Sequence, residues 1–299
     1  EVHPNQGIFN SLLSRRDTPL ILVLSSDYPI GDTPDWPSWL ARQGRESGRF
    51  ELSVQHYDHE RNDFINYDLS RVDAVILNIC PESFGRNHMQ WILSQKVPVV
   101  MVNFHPGDVP LDSVFHNDAL GGLLAAQCLL RHGHRRLAVL ICEPHSQAIH
   151  ERSQSFKLCA EQANAEVEII DCKTRSGETS RQRGFECLEE HLRKSGCNFT
   201  ALFVLGDAAA AGALAALAAH NLRVPNDVSV IGYDGLPVTA DYSPPLTTID
   251  LLPQKYSQAL LDVIFRRLAG EPGPIHYEII PRLILRDSVQ AIAPGSDGI

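Results

Sequence analysis

Short apolar runs alternate with longer amphipathic segments along most of this chain. The runs Leu20–Leu24, Ala74–Ile79 and Val97–Val102 are apolar almost throughout, which is typical of strands buried on both faces of a parallel sheet. The segments between the runs carry apolar residues at the spacing of one helix face. This alternation, with its short connections, predicts an α/β fold in which helices cover both faces of a parallel sheet.

The predicted elements fall into two successive sets. In the first set we expect strands over 20–24, 50–57, 74–79, 97–102 and 137–141, and helices over 36–46 and 118–130, the second one capped by Asp118. In the second set we expect strands over 167–171, 201–205, 228–231 and 279–284, and helices over 151–163, 179–194, 207–220 and 253–269. Two sets of this kind predict two similar lobes.

Composition agrees with a two-lobed globular protein. The chain has 299 residues, enough for two domains of ordinary size. Its formal net charge of −10 argues against the broad basic surface of a nucleic-acid binder. Seven cysteines occur without a Cys-x-x-Cys pair, which favours reduced thiols and a cytoplasmic location. We find no apolar run of membrane-spanning length and no signal-peptide pattern.

The sequence offers little for catalysis or for cofactor binding. Cys128, His132 and His134 are near one another along the chain, but a zinc site needs three or four convergent ligands. The sequence contains neither the glycine-rich loops that cradle nucleotides nor the Gly-x-Ser-x-Gly elbow of hydrolases. We therefore predict a non-enzymatic protein with no metal and no cofactor.

The stretch from Leu222 to Asp250 is the most informative part of the chain. A short apolar strand, Val228–Ile231, leads into Gly232–Asp234, and the extended segment Ser243–Thr248 follows. Ligands of parallel α/β sheets collect at the carboxyl ends of strands. This order of turn, strand, Gly-Tyr-Asp and Pro-Pro-Leu-Thr-Thr closely resembles the core of the lactose/galactose-repressor (LacI/GalR) family of bacterial transcription regulators.

Further patches extend the resemblance over 20–288. They include Asn117–Arg136, Gly206–Gly212 and Pro281–Ser288. The resemblance implies two Rossmann-like lobes of the type I periplasmic-binding-protein-like fold. The implied domains are a hinge or linker over 1–19, an N-terminal lobe over 20–141 plus 249–276, a C-terminal lobe over 142–248 plus 277–290, and a loose tail over 291–299.

Two charged residues match the ligand contacts of this family. Arg152 lies where the family has an arginine that reaches into the cleft, and a guanidinium can bind two ligand oxygens at once. Asp234 matches the family's ligand-contacting acid, and an ionised carboxylate accepts hydrogen bonds from hydroxyl or amine donors. The structural alternatives are a solvated arginine at a helix start and a carboxylate that only stabilises a turn.

Seven weaker candidates lie near the predicted strand ends. Asp207 could contact a ligand, although capping a helix would also explain it. Polar and aromatic groups of the first lobe could form the rest of a small-molecule site, with plain packing as the alternative. These residues are Asp27, Tyr28, Trp36, Asn103, Phe104 and His116.

The resemblance implies a function. The core would bind a small polar effector, such as a sugar or a nucleoside-like compound, in the cleft between the lobes of a homodimer. It would thereby alter operator binding by a helix-turn-helix head outside this chain. A periplasmic sugar-binding transport receptor of the same fold is the alternative, and an α/β enzyme is a third.

Overall fold

The computed structural model describes residues 18–26, 36–58, 61–79, 84–105, 107, 109–143, 146–174 and 178–292. The described part of the chain divides into two compact units. The first unit runs through His116 and includes Pro253–Ile279, and the second comprises Asn117–Leu252 and the chain from Ile280 onward. Each unit is built on one six-stranded sheet.

The strands are β1 (Leu20–Ser26), β2 (Glu51–Tyr57), β3 (Ala74–Asn78), β4 (Val99–Val102), β5 (Asp112–His116), β6 (Arg136–Ile141), β7 (Glu166–Asp171), β8 (Ala201–Val204), β9 (Ser229–Asp234), β10 (Thr247–Asp250), β11 (His276–Ile279) and β12 (Arg282–Ile284). The helices are α1 (Trp36–Ser47), α2 (Arg86–Ser94), α3 (Asp118–Arg131), α4 (Gln147–Gln162), α5 (Ser180–Ser195), α6 (Asp207–Ala219) and α7 (Pro253–Leu268).

The two sheets repeat one strand order. The first sheet runs β11-β5-β4-β3-β1-β2 and the second runs β12-β10-β9-β8-β6-β7. All neighbours pair in parallel except β10 and β12, which are antiparallel. In each sheet the first strand in the chain, β1 or β6, is an inner strand, and the second, β2 or β7, is the edge strand beside it. The third strand, β3 or β8, pairs with the other side of the first, so the strand order reverses at this point. This repeat is the doubly wound α/β architecture that the sequence pattern predicts.

The strands of the second unit direct successive side chains to opposite faces. Leu137 and Val139 of β6 join the core under α3 and α4, whereas Ala138 and Leu140 join the core under α5 and α6. Because both faces are covered, the inner strands β6 and β8 have few polar positions, whereas the edge strand β7 carries exposed glutamates at 166 and 168. The near-continuous apolar runs of the sequence follow from this two-sided burial.

The first crossing between the units differs from the expectation. We expected it near Cys142, but it lies between His116 and Asn117. The reason is that β6 pairs with β7 and β8, and α3 packs on α4, so both α3 and β6 belong to the second unit. The later crossings follow Leu252 and Ile279, and the expected hinge and tail lie almost wholly outside the described residues.

Several element bounds also differ. The single strand expected over 279–284 is two strands, β11 and β12, one in each sheet. Helix α4 begins at Gln147 with Ser146 as its N-cap, so Arg152 lies in the second turn and does not open the helix. Asn117 caps α3 by accepting a hydrogen bond from the Leu120 amide, and Asp118 is the first helical residue. The sequence patterns did not reveal α2 and β5.

Close contact between α3 and α4 depends on a glycine. A Cβ atom placed on Gly122 would lie 2.1 Å from the Arg152 carbonyl oxygen and 2.3 Å from the Ser155 hydroxyl oxygen. Neither contact is compatible with atomic radii, so any side chain here would separate the two helices. The register of Arg152 against α3 therefore requires glycine at this position.

We expect Gly122→Ala to lower the free energy of unfolding by about 1–3 kcal/mol, as overpacking does. Gly85→Ala is the control, because the nearest atom to its added Cβ lies 3.9 Å away. Chemical denaturation of the two variants measures the difference. Equal stability of the two variants would contradict the close helix contact.

The buried side chain of His134 contacts the C-terminal segment of the second unit. Of the two ring nitrogens of His134, Nδ1 lies 3.0 Å from the Thr200 hydroxyl and Nε2 lies 3.1 Å from the Gln290 carbonyl oxygen. Burial lowers the pKa of His134 from 6.5 to about 4. His134 therefore connects a loop and the C-terminal segment as a neutral ring, with a protein group at each of its two nitrogens. Among the residues described here, no group of three His, Cys, Asp or Glu side chains is arranged to hold a metal.

Because the folded pKa of His134 is depressed, the unfolded chain binds its proton more readily. Both states are neutral above pH 6.5, and the free energy of unfolding falls as the pH falls from 6.5 toward 4. His134→Gln should flatten this part of the pH–stability curve. His150→Gln, at an exposed histidine, should leave the curve unchanged. Identical curves for both variants would rule out His134 as the source of the pH dependence.

Candidate functional site

The strand order of the second unit indicates which edge of its sheet is the candidate ligand-binding edge. In open α/β sheets, ligands bind beyond the carboxyl ends of the strands where the chain reverses direction across the sheet. Here that point lies between β6 and β8. The chain leaves β6 at Cys142–Glu143 and leaves β8 at Leu205–Gly206, directly before α6.

Arg152 reaches this edge from α4. Its Nε donates to Asp118 Oδ1 at 2.7 Å and its Nη1 donates to the Leu205 carbonyl oxygen at 3.0 Å. The guanidinium carbon lies 3.8 Å from the centroid of the Tyr233 ring. The arginine side chain is 11% exposed, so it is not the solvated helix-start arginine of the alternative interpretation.

Asp118 and Tyr233 hold the guanidinium in place. The Tyr233 hydroxyl donates to Asp118 Oδ1 at 3.0 Å, the same oxygen that accepts from Arg152. Burial alone would lower the pKa of Arg152, but Asp118, Tyr233 and Asp234 outweigh it, and the pKa is raised. Burial also raises the pKa of Tyr233, so its hydroxyl stays protonated and remains a donor. Neither partner of Arg152 was a candidate from the sequence.

Asp234 ends β9 beside the guanidinium. Its Oδ1 lies 3.8 Å from Arg152 Nη1, and its Oδ2 accepts from the Asp207 amide at 3.4 Å. Its backbone has a φ of 111°, a conformation that a residue with a side chain rarely adopts and that is common at binding sites. Burial raises the pKa of Asp234, Arg152 opposes this, and the nearby carboxylates Asp207 and Glu143 add to it.

Both carboxylate oxygens of Asp207 are hydrogen-bonded within the protein. It is fully buried, and its two oxygens accept from the Thr248 hydroxyl at 2.7 Å and from the Leu236 amide at 2.8 Å. Burial raises its pKa to about 7, although these hydrogen bonds favour the ionised form. A Cβ on Gly232 would lie 2.2 Å from Asp207 Oδ1, so glycine is needed there.

Glu143 adds a further carboxyl group that the sequence patterns did not single out. A Cβ on Gly206 would lie 2.8 Å from Glu143 Oε1 and 3.6 Å from Asp234 Oδ2, so both acids lie close to the end of β8. Burial raises the pKa of Glu143, while a hydrogen bond from Ser180 and the charge of Arg152 lower it. The only sequence signal for this residue is its position just past a strand.

In the first unit, three of the expected residues surround Tyr256 of α7. The Tyr256 hydroxyl accepts a hydrogen bond from the backbone N–H of Asn103 at 3.0 Å and lies 3.1 Å from the side-chain Oδ1 of Asn103. The His116 ring stacks on Tyr256 with centroids 4.5 Å apart, and the buried Trp36 ring lies 6.0 Å away. Asn103 is exposed and has a φ of 52°. Tyr256 was missed because it is one apolar-face residue of an amphipathic helix.

Phe104 has a different neighbourhood, and two candidates cannot be placed. Phe104 is half-buried and contacts Phe84, with ring centroids 6.3 Å apart. Asp27 and Tyr28 lie outside the described residues. Within the described part of the chain, no helix is long and apolar enough to cross a membrane.

Comparison with known proteins gives the family. The model of the periplasmic binding protein-like domain matches residues 126–289. The HTH-type transcriptional repressor PurR of Histophilus somni (strain 2336) is 30% identical over 225 residues, which cover 74% of this chain and 66% of that protein. The repressor of the same name from Actinobacillus pleuropneumoniae serotype 3 is 31% identical over 226 residues, covering 74% and 65%. The chain thus spans just under two thirds of the length of these repressors.

Solved structures share the fold. The lac repressor dimer bound to operator and the anti-inducer ONPF has a TM-score of 0.78 at 22% identity, covering 97% of this chain and 100% of that one. A regulatory protein of the LacI family from Chloroflexus aggregans has a TM-score of 0.76 at 24% identity, covering 90% and 98%. The chain belongs to the periplasmic binding protein-like domain family, whose model covers more than half of it, and repressors and regulators of the LacI family are among the proteins similar to it.

Proposed function

We propose that this chain is the sensing core of a transcription regulator and binds a small polar effector at the carboxyl edge of its second sheet. One observation carries the proposal. A guanidinium, Arg152, is fixed between Asp118 and Tyr233 at the edge where the strand order reverses, with Asp234 3.8 Å away. Preorganised polar groups at such an edge are typical of a small-molecule site.

The cluster favours a ligand with several hydrogen-bond donors. Asp234 and Glu143 accept hydrogen bonds when ionised; burial destabilises the ionised form of both, and nearby carboxylates further destabilise that of Asp234. Arg152 already donates to Asp118 and Leu205, so part of its donor capacity is used. Hydroxyl or amine donors from a ligand would stabilise the carboxylates. A sugar or a nucleoside-like compound has donors of this kind.

The first unit contributes a separate group of candidate contacts. Asn103 and His116 lie at strand ends beside Tyr256, and Phe104 offers a half-buried ring. We include Asp27 and Tyr28 in this group because they follow β1. Trp36 is buried against Tyr256 and would act by supporting that ring. Asp207, with both oxygens engaged, would support Asp234.

The relatives favour a regulator over a transport receptor or an enzyme. Three of the related proteins named above are repressors, and the fourth is a regulatory protein. In this proposal the chain is a homodimer in the cytoplasm, and a helix-turn-helix head outside these residues reads the operator. The net charge of −10 makes this core itself a poor partner for DNA. The free thiols of the described cysteines suit a reducing compartment.

A thermal-shift screen of pentoses, hexoses, amino sugars, nucleosides and amino acids should reveal a compound that raises the melting temperature, because a bound effector stabilises the folded state. Arg152→Lys and Asp234→Asn should each weaken its binding by roughly ten- to a hundredfold. This corresponds to the loss of a charge-assisted hydrogen bond of about 1.5–3 kcal/mol. Isothermal calorimetry measures the affinities.

Matched controls are available on the same unit. Arg181→Lys and Asp241→Asn change exposed residues and should bind the selected compound as tightly as the parent. We choose Arg152→Lys because Arg152→Ala would leave Asp118 buried without its cation, which typically costs about 3–5 kcal/mol of stability. If both site variants bind like the parent, the compound binds elsewhere.

The chain should also be a two-fold homodimer, since paired heads are required to read a two-fold symmetric operator. Sedimentation velocity at micromolar concentration measures its mass against the 33.1 kDa of one chain. A strict monomer would contradict the proposed assembly.

A further inference from the structure

Three cysteines of the second unit come together from three elements. Cys142 directly follows β6 and Cys172 directly follows β7, and the preceding residues Ile141 and Asp171 are partners in the parallel ladder. The Cys142 and Cys172 sulfurs lie 3.1 Å apart. Cys172 also exchanges a hydrogen bond with Cys187 of α5.

The three thiols differ in their access to solvent. Cys142 and Cys172 are buried, at 0% and 5% exposure, whereas Cys187 is half-buried. All three lie on the side of the sheet that α5 and α6 cover. A small solute can therefore reach the cluster first at Cys187.

A cation lies beside the cluster. Arg183 is one turn before Cys187 on α5, and its Nη2 donates to the Cys172 carbonyl oxygen at 2.6 Å. Its charge lowers the pKa of Cys172 and Cys187, but other causes outweigh it. The hydrogen bond with Cys142 raises the pKa of Cys172, the hydrogen bond with Cys172 raises that of Cys187, and burial raises both. Cys172 and Cys187 are thus protonated at neutral pH, and we expect their oxidation to be slow.

The backbone geometry allows a disulfide. Neighbouring strands lie about 4.8 Å apart, and disulfides join residues whose Cα atoms are about 4.4–6.8 Å apart. The ladder therefore places Cys142 and Cys172 at a compatible spacing. Of the described cysteines, only these three have another thiol as a hydrogen-bond partner.

We propose that Cys142, Cys172 and Cys187 form a thiol-oxidation site, in which a peroxide enters at Cys187 and the final product is a Cys142–Cys172 disulfide. The Cys187 sulfur loses its proton as it attacks one oxygen of hydrogen peroxide; the O–O bond breaks, an S–O bond forms, and the released hydroxide takes up that proton as water. Cys172 attacks the oxidised sulfur, so that an S–S bond replaces the S–O bond and a second water leaves.

Thiol–disulfide exchange completes the sequence. Cys142 attacks the Cys172 sulfur, the bond to Cys187 breaks, and Cys187 regains a proton as a thiol. In total, two thiols are oxidised to one disulfide and one molecule of hydrogen peroxide is reduced to two waters. The product ties the ends of β6 and β7 together immediately before Glu143. An effect on effector binding through Glu143 rests on the proposed function, whereas formation of the disulfide does not.

Peptide mapping of the full chain tests the site. The reduced protein is treated with hydrogen peroxide, blocked with N-ethylmaleimide and digested without reductant, and we expect a Cys142–Cys172 linked peptide. Cys187→Ser should form the same link several-fold more slowly. Cys142→Ser should stop at a Cys172–Cys187 link. Cys159→Ser, at a half-buried cysteine of α4, is the control and should behave like the parent.

Cys172→Ser removes the central thiol and should give no disulfide within the cluster. Its fold is checked by its melting temperature, with Cys172→Ala as a second variant. Oxidation of the parent at Cys128 or Cys159 without any linked peptide would overturn the proposal. A Cys142–Cys187 link in Cys172→Ser, formed at the parent's rate, would also overturn it. All of these readouts are independent of any effector.

Discussion

The buried pairing of Arg152 with Asp118 is the interaction on which the rest of the second unit's binding edge depends. A guanidinium 11% exposed and a carboxylate 10% exposed meet at 2.7 Å. Removing either partner would leave an uncompensated charge in a site of low dielectric, which is costly. Because Tyr233 stacks on the cation and donates to the same carboxylate oxygen, the pair joins α3, α4 and β9 at one point.

Glycines make this arrangement possible at each close approach. Gly122 lets α3 approach the backbone at Arg152, Gly121 leaves room for the Tyr233 hydroxyl, and Gly232 leaves room for Asp207. The carboxyl groups of Asp234 and Glu143 lie near the guanidinium of Arg152. Asp234 is 3.8 Å from it, farther than Asp118 at 2.7 Å. Asp234 and Glu143 are the groups that a ligand with donors would stabilise, because burial raises the pKa of both and the nearby carboxylates raise that of Asp234 further.

The same strand ends carry different chemistry on their two sides. Tyr233 and Arg152 lie on the side of the sheet covered by α3 and α4, whereas Cys142, Cys172 and Cys187 lie on the side covered by α5 and α6. Glu143 directly follows Cys142, so one thiol of the cluster and one carboxyl group of the candidate site lie in the same connection after β6. Oxidation and ligand binding would therefore act on the same short segment.

The sequence by itself determined the α/β class, most strands and helices, and the family, because these depend on local periodicity and on contiguous motifs such as Gly232–Asp234. It also singled out Arg152 and Asp234 as candidate ligand contacts, and the structure brings their side chains within 3.8 Å of each other. Only the tertiary structure decided the crossing at His116–Asn117, the pairing with Asp118, and the roles of Tyr233, Glu143 and Tyr256. Those features depend on which strands pair and on contacts between residues that are 34 to 153 positions apart in the sequence. No local pattern of apolar and polar residues can predict such partners.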